Sequence, residues 1–160
     1  MNPTTMEDRM VSKDFNIKAV RVIPLFAGLS DEKLEELRPA FKVTRYGQGE
    51  LVVREGDAPD RLFIIVAGEV QVVKSYLEPG AQTIAVMGVP GFFGEMALVG
   101  REGVRSATVV TTEESHFLTL ERDAFRSILL ANPEIAIALL EDSYARLRQA
   151  NELIHHLQKE

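Results

Sequence analysis

The sequence contains no cysteine, no hydrophobic run of membrane-spanning length and no excess of basic residues. The lack of cysteine excludes disulfide bonds, iron–sulfur clusters and thiolate chemistry. The polar N-terminus has no apolar core of signal-peptide length, so we expect a cytoplasmic protein without a membrane partner. A net charge of −6 and an isoelectric point near 5.2 have the wrong sign for a nucleic-acid protein. We therefore expect no DNA binding by this chain alone.

What is present predicts one domain that is mainly β with flanking helices. The chain has 160 residues, of which 46% are hydrophobic, and this suffices for one core but not for two. Ten of the eleven glycines lie between Gly47 and Gly103, where they separate short runs of Val, Ile, Leu, Phe and Thr. This spacing predicts an antiparallel β-roll, that is, a jelly roll or double-stranded β-helix. The expected strands lie near residues 42–46, 50–54, 61–67, 69–75, 82–87, 106–112 and 115–120.

Helices are expected on both sides of the roll, which itself should occupy about residues 41–121. Residues 1–14 are expected to form a flexible N-terminal arm, followed by a single domain over residues 15–160 that starts with N-terminal helices. The C-terminal helices are expected over about residues 122–158. Pro133 follows a capping asparagine and precedes an acid, which is a start signal for the long last helix.

The most specific stretch is residues 93–111, with the sequence FGEMALVGREGVRSATVVT. A sugar-phosphate monoanion that has lost most of its water needs a forked cation, close backbone approach and an acceptor for the sugar hydroxyl. Arg105 offers paired N–H donors to two phosphate oxygens, and Gly94 allows the backbone to approach a ligand. Glu95 is best explained as accepting from a ribose hydroxyl, because a carboxylate beside a phosphate would repel it. Ser106 adds a hydroxyl for the phosphate or for an edge of the base.

Two segments of the chain resemble the signatures of one known family. Residues 93–98 (FGEMAL), a six-residue gap and residues 105–109 (RSATV) resemble the phosphate-binding cassette of the cyclic nucleotide-binding domains. Residues 52–68 (VVREGDAPDRLFIIVAG) resemble the upstream signature of the same family, although Pro59 stands where a smaller residue is usual. The similarity extends over roughly residues 23–157, and its C-terminal part looks most like the bacterial catabolite-activator branch.

The resemblance implies a ligand site for cyclic AMP or cyclic GMP. The residues expected to bind the ligand are Phe93, Gly94, Glu95, Met96, Ala97, Arg105, Ser106, Ala107 and Asn151. Asn151 lies where the resembling helix carries a polar residue over the base. Its neighbour Ala150 breaks the usual pair of hydroxyls, and an exposed helical asparagine is the competing explanation.

The predicted C-terminal helix carries a seven-residue repeat. The repeat consists of Leu140, Leu147 and Ile154, with Ala136, Ser143, Ala150 and Leu157 as the alternate set. This seam predicts a homodimer through the helix, and the resemblance implies the same arrangement. The alternative is that the stripe packs onto the roll of its own subunit. Arg146 and Arg148 are interpreted as solvated helix charges.

These observations favour a non-catalytic sensor of a cyclic mononucleotide that signals through repositioning of the C-terminal dimer helix, with a protein effector as a possible further partner. The likeness to the bacterial activators implies cyclic AMP rather than cyclic GMP as the ligand. No catalytic residue, catalytic cofactor or metal is expected. One alternative is the sensor portion of a Crp/Fnr-type transcription regulator, which needs a helix-turn-helix that is not found before Glu160. Another is a cupin-like metal enzyme. It is disfavoured because His155 and His156 are adjacent on a helix and point in different directions, which leaves His116 alone in a strand.

Overall fold

A computed structural model describes residues 15–100 and 103–159, so the expected arm over residues 1–14 lies outside the described part of the chain. Eight strands form two four-stranded antiparallel sheets. The first sheet has the order β1 (Phe41–Tyr46), β8 (Ser115–Glu121), β3 (Arg61–Ala67) and β6 (Gly91–Phe93). The second has the order β2 (Leu51–Val53), β7 (Thr108–Thr111), β4 (Glu69–Lys74) and β5 (Gln82–Gly88).

Helical segments precede and follow the sheets. Three 3₁₀ turns cover Ile17–Val22, Pro24–Phe26 and Arg38–Ala40, and the α-helices are α1 (Asp31–Leu37), α2 (Glu95–Val99), α3 (Arg122–Ala131) and α4 (Pro133–Lys159). The order of helices, strands and helices confirms the predicted β-roll with flanking helices. No helix in residues 15–100 and 103–159 combines the length and the apolar character that crossing a membrane requires.

The two faces of the first sheet belong to two different cores. One face packs on the second sheet through an aromatic cluster in which Phe63 and Phe93 stack at 4.9 Å and Phe117 meets both edge-on. The other face packs on the 3₁₀ turns, α3 and the start of α4. This arrangement explains the uninterrupted apolar run in β3, because Leu62 and Ile64 face one core while Phe63 and Ile65 face the other.

Two local expectations were wrong, and both errors lie beside the predicted site. β6 was not predicted because it has three residues and begins with a glycine, and it is a strand through its antiparallel pairing with β3. β7 begins at Thr108 rather than at residue 106. The backbone of Arg105 instead pairs with the β2–β3 loop, donating to Asp57 O at 2.8 Å and accepting from Gly56 N at 2.8 Å.

The seven-residue stripe of α4 is exposed. Ile135 and Leu139 anchor the first turns of the helix in the core, whereas Leu140, Leu147 and Ile154 are between 52% and 69% exposed. The alternative that this stripe packs onto its own roll is therefore wrong.

Candidate ligand-binding site

A cavity of about 260 Å³ lies between the second sheet, the turn into α2 and the middle of α4. Its apolar walls include Val53, Val72, Ile84, Met87, Phe92 and Val109. Six of the predicted ligand-binding residues also line it, namely Phe93, Gly94, Glu95, Arg105, Ser106 and Ala107. The fold thus brings residues from both ends of the 93–107 segment to one hollow.

Arg105 is a buried cation on one wall of this cavity, with 4% of its surface exposed. Its guanidinium donates to Arg61 O at 2.8 Å and makes longer contacts to Asp60 Oδ1 at 3.4 Å and Gly94 O at 3.5 Å. The Phe63 ring lies 5.9 Å from its central carbon. Burial lowers the pKa of Arg105, and the charge of Asp60 opposes that shift. Such a cation gains from an anion that can meet its fork.

The β2–β3 loop fixes the position of Arg105. Besides the paired backbone bonds to Gly56 and Asp57, the Glu55 N–H donates to Thr108 Oγ1 at 3.0 Å. Residues of the 52–68 segment therefore hold the start of the 105–109 segment in place, which gives a physical reason why both segments are present in this chain.

Glu95 directly follows Gly94, opens α2 and is 4% exposed. Its Oε1 accepts from Arg146 NH1 of α4 at 2.9 Å, and the Arg146 guanidinium lies 5.2 Å from the centre of the Phe92 ring. Burial raises the pKa of Glu95, and Arg146 counteracts that rise. On α4 itself, Asp142 Oδ2 lies 3.0 Å from Arg146 Nε, so the two residues form an ion pair within the helix.

Gly94 permits the close approach of Arg105 to the turn before α2. Its φ of +95° lies in the left-handed region, and a Cβ at this position would lie 2.5 Å from Arg105 NH1 and 3.0 Å from Arg61 O. Only a residue without a side chain fits this conformation and this contact together.

The remaining predicted site residues differ in position. Met96 and Ala97 lie on α2, and Ser106 is exposed at the rim, where its backbone oxygen accepts from Lys74 Nζ. Asn151 is exposed on α4 and is not among the lining residues of the cavity. Its contact with a base stays a prediction.

The contact of Arg146 with Glu95 was not recognised from the sequence; the side chain is 45% exposed, so the interpretation as a solvated charge covers only part of its environment. The Asp142 and Arg146 spacing is that of an ordinary exposed i,i+4 pair, so nothing in the helix itself marks the contact with Glu95. The partner lies 51 residues away in sequence and is reached only through the packing of α4. Arg148 is exposed, as expected.

In the part of the chain that the structure describes, a second hollow and the distribution of potential metal ligands were compared with this site. A hollow of about 400 Å³ beside Arg54 and Tyr76 is larger, but it contains neither Glu95 nor Arg105. The smaller cavity, in contrast, joins a buried cation, a buried carboxylate and apolar walls. Within residues 15–100 and 103–159, no three His, Cys, Asp or Glu side chains come together in a way that could hold a metal ion.

Comparisons with known proteins identify relatives of this chain. The family model of the cyclic nucleotide-binding domain matches residues 43–132, more than half of the chain. The cyclic AMP receptor protein of Thermus thermophilus is 32% identical over 128 residues, which is 80% of this chain and 59% of that protein. A cGMP-dependent protein kinase of Eimeria tenella is 36% identical over 72% of this chain and 11% of its own length. A solved cyclic nucleotide-binding domain from Methylobacillus flagellatus matches with a TM-score of 0.72 and 32% identity, covering 86% of this chain and 79% of that one. The chain spans less than two thirds of the Thermus relative.

Proposed function

The chain belongs to the cyclic nucleotide-binding domain family, and from this premise we propose that it is a non-catalytic cytoplasmic sensor that prefers cyclic AMP to cyclic GMP. The observation that carries the proposal is the pair of buried, oppositely charged residues, Arg105 and Glu95, in one cavity that Arg146 of α4 also lines. A cyclic nucleotide combines a monoanionic diester, a ribose hydroxyl and a flat base, and the cavity offers a surface for each.

The phosphate is assigned to Arg105. Within the protein its shortest polar contact is to a neutral carbonyl, and the carboxylate of Asp60 is farther away at 3.4 Å. A diester has two oxygens that match the guanidinium fork, so it would give this buried cation a closer and charge-complementary partner.

The ribose is assigned to Glu95. A buried carboxylate can accept a hydrogen bond from a neutral hydroxyl without the repulsion that a phosphate would bring. Because Glu95 already accepts from Arg146, a ribose at this position changes the environment of α4 directly.

The base is assigned to the apolar walls formed by residues such as Val72, Ile84 and Met87. Adenine has fewer polar edge groups to desolvate than guanine, which supports the preference for cyclic AMP. The hydroxyl of Ser106 at the rim is the feature that would favour guanine instead.

Signalling is assigned to α4. A ligand can shift this helix only if it binds one arrangement better than another, and a ligand at Glu95 would act on the contact that Arg146 makes there. The exposed stripe of Leu140, Leu147 and Ile154 supports a homodimer through α4, which would carry the shift to a second subunit or to a protein effector.

A second candidate function is the sensor portion of a transcription regulator. It is favoured by the similarity of this chain to a CRP-like cAMP-activated global transcriptional regulator of Mycobacterium tuberculosis. The two sequences are 29% identical over a match that covers 79% of this chain and 56% of the regulator. Under either candidate a mobility-shift assay of this chain, with and without cyclic AMP, should show no DNA binding, and a shift would contradict the expectation that this chain alone does not bind DNA.

The proposal is tested by isothermal titration of the chain with cyclic AMP and cyclic GMP in a buffer without phosphate. We expect both to bind, with cyclic AMP tighter. Arg105→Ala should weaken binding by roughly 2–5 kcal/mol, because the buried diester loses its charged partner.

The matched control is Arg54→Ala, an exposed arginine beside the larger hollow. It should leave the affinity unchanged. If wild-type chain binds neither nucleotide, or if Arg105→Ala and Arg54→Ala bind equally well, the proposed function is wrong.

A further inference from the structure

Asp60, at the start of β3, is shared between two arginines. Its Oδ2 accepts from Arg61 Nε at 3.0 Å and from Arg61 NH2 at 2.6 Å, while its Oδ1 lies 3.4 Å from Arg105 NH2. The carboxylate is therefore held closely by Arg61 and only loosely by Arg105. The three side chains carry two positive charges and one negative charge.

This sharing matters because Asp60 is an anion beside the proposed phosphate position. If Asp60 turned fully toward Arg105, it would occupy the guanidinium fork and repel an incoming phosphate. The contact with Arg61 favours the opposite arrangement, in which the carboxylate stays on the outer side. The Asp60 side chain is 61% exposed and so has room to turn, whereas those of Arg61 and Arg105 are 18% and 4% exposed.

The carboxylate opposite Arg61 in the neighbouring strand is paired with another cation. Glu121 lies opposite Arg61 across the β3–β8 ladder, but its carboxylate accepts from Lys42 Nζ at 2.9 Å. Burial tends to raise the pKa of Asp60, yet the hydrogen bonds from Arg61 and the charges of both arginines hold it below its ordinary value. Asp60 is thus an ionised carboxylate whose closest partner is Arg61.

We infer that Arg61 is a positioning residue for the proposed nucleotide site: by holding the carboxylate of Asp60, it keeps Arg105 available to the phosphate. When the phosphate binds, Asp60 keeps a partner and no carboxylate is left without a counter-charge. This inference rests on the proposed function, because it concerns the phosphate position in that site.

The test is a double-mutant cycle on the affinity for cyclic AMP, with Arg61→Met, Asp60→Asn and the double variant. Methionine keeps most of the length of the side chain and removes its charge. We expect Arg61→Met to weaken binding about tenfold and Asp60→Asn to leave it unchanged or tighter. The double variant should return to within about threefold of Asp60→Asn.

The rescue by Asp60→Asn separates positioning from other roles. If Arg61 attracted the phosphate directly, or only supported the fold, the double variant would stay as weak as Arg61→Met, and the inference would be overturned. Unchanged affinity in Arg61→Met would overturn it as well. Lys33→Met, which removes an exposed lysine paired with Glu36 on α1, is the control and should bind like wild type.

Failure of the proposed function and failure of this inference give different results. Wild-type chain that binds no cyclic nucleotide disproves the proposed function and this inference together, whereas binding without coupling in the cycle disproves the inference alone. Should Arg61→Met not fold, Arg61→Lys replaces it in the cycle, because it keeps the charge but loses the two-donor contact. It is expected to bind about threefold more weakly, and Asp60→Asn should again remove the loss.

Discussion

The contact between Arg146 and Glu95 is the link between the site and α4, and its strength can be measured without any ligand. Replacing Arg146 by methionine removes the 2.9 Å hydrogen bond to Glu95 Oε1 and the contact with the Phe92 ring at 5.2 Å. The substitution leaves the Glu95 carboxylate, whose side chain is only 6% exposed, without a cationic partner at this position.

The magnitude follows from the unequal exposure of the two partners. A hydrogen bond between charged groups contributes about 1.5–3 kcal/mol when both are shielded from water. The Arg146 side chain is 45% exposed, so solvent screening reduces this value. We expect a coupling energy of about 1–1.5 kcal/mol between residues 95 and 146, and the contact with Phe92 adds about 0.5 kcal/mol to the loss in Arg146→Met.

The assay is urea unfolding of wild type, Arg146→Met, Glu95→Gln and the double variant at one protein concentration. Arg148→Met serves as the control, because Arg148 is an exposed arginine on the same helix and should cost little. A coupling energy below about 0.3 kcal/mol, or an equal loss in Arg148→Met, would refute the reasoning.

The same variants give an independent check through pH. Burial raises the pKa of the Glu95 carboxyl above 4.5, so the folded chain binds a proton at Glu95 more tightly than the unfolded chain does. The contribution of Glu95 to the free energy of unfolding must then fall as pH rises from about 4.5 through the raised pKa. We expect the free energy of unfolding of wild type, relative to that of Glu95→Gln, to decrease over this pH window. In Arg146→Met the decrease should extend to higher pH, because the pKa of Glu95 rises further without the arginine. A relative stability that increases with pH would contradict the assignment.

Two further predictions concern the geometry around Arg105 and the stripe on α4. Gly94→Ala should lower the free energy of unfolding by about 1–3 kcal/mol and abolish most nucleotide binding in titration calorimetry, because the new Cβ would displace Arg105. Gly80→Ala is the control: Gly80 has a similar φ of +89°, a Cβ there would meet nothing within 4 Å, and the variant should keep its affinity. Leu147→Glu should convert the proposed dimer to a monomer in sedimentation velocity, whereas Leu130→Glu, at a more exposed leucine on α3, should not. An unchanged oligomeric state in Leu147→Glu would exclude the α4 interface.

The parts of the fold that could be predicted from the sequence are those in which local pattern and tertiary environment agree. β3 was predictable because its apolar run is buried on both faces, and α4 because Pro133 follows a capping asparagine. β6 could not be predicted, since its three residues are a strand only through pairing with β3. The limits of β7 depend likewise on the backbone bonds between Arg105 and a loop about fifty residues earlier.

The candidate site divides in the same way. Glu95 and Arg105 belong to a short segment whose glycines and charges stand out in the sequence, so their position in one cavity was predictable. Arg146 and Arg61 look like ordinary charges beside ordinary acids, Asp142 and Asp60, at spacings that occur on any solvated surface. Their importance arises from the folded chain, which places one of them against Glu95 and the other against the carboxylate that faces Arg105.

The position of Arg146 along α4 gives the contact with Glu95 its mechanical significance. The helix is anchored in the core by Ile135 and Leu139, and every residue from Ser143 to Lys159 is exposed. Arg146 therefore lies just beyond the anchored turns, and about 20 Å of helix extends past it. If α4 turned about its anchored residues, a displacement at Arg146 would grow toward Ile154 and the end of the helix, which supports the proposed signalling through α4. A ligand that bridged Arg105 and Glu95 would consequently need little structural change within the roll to alter the surface that α4 presents.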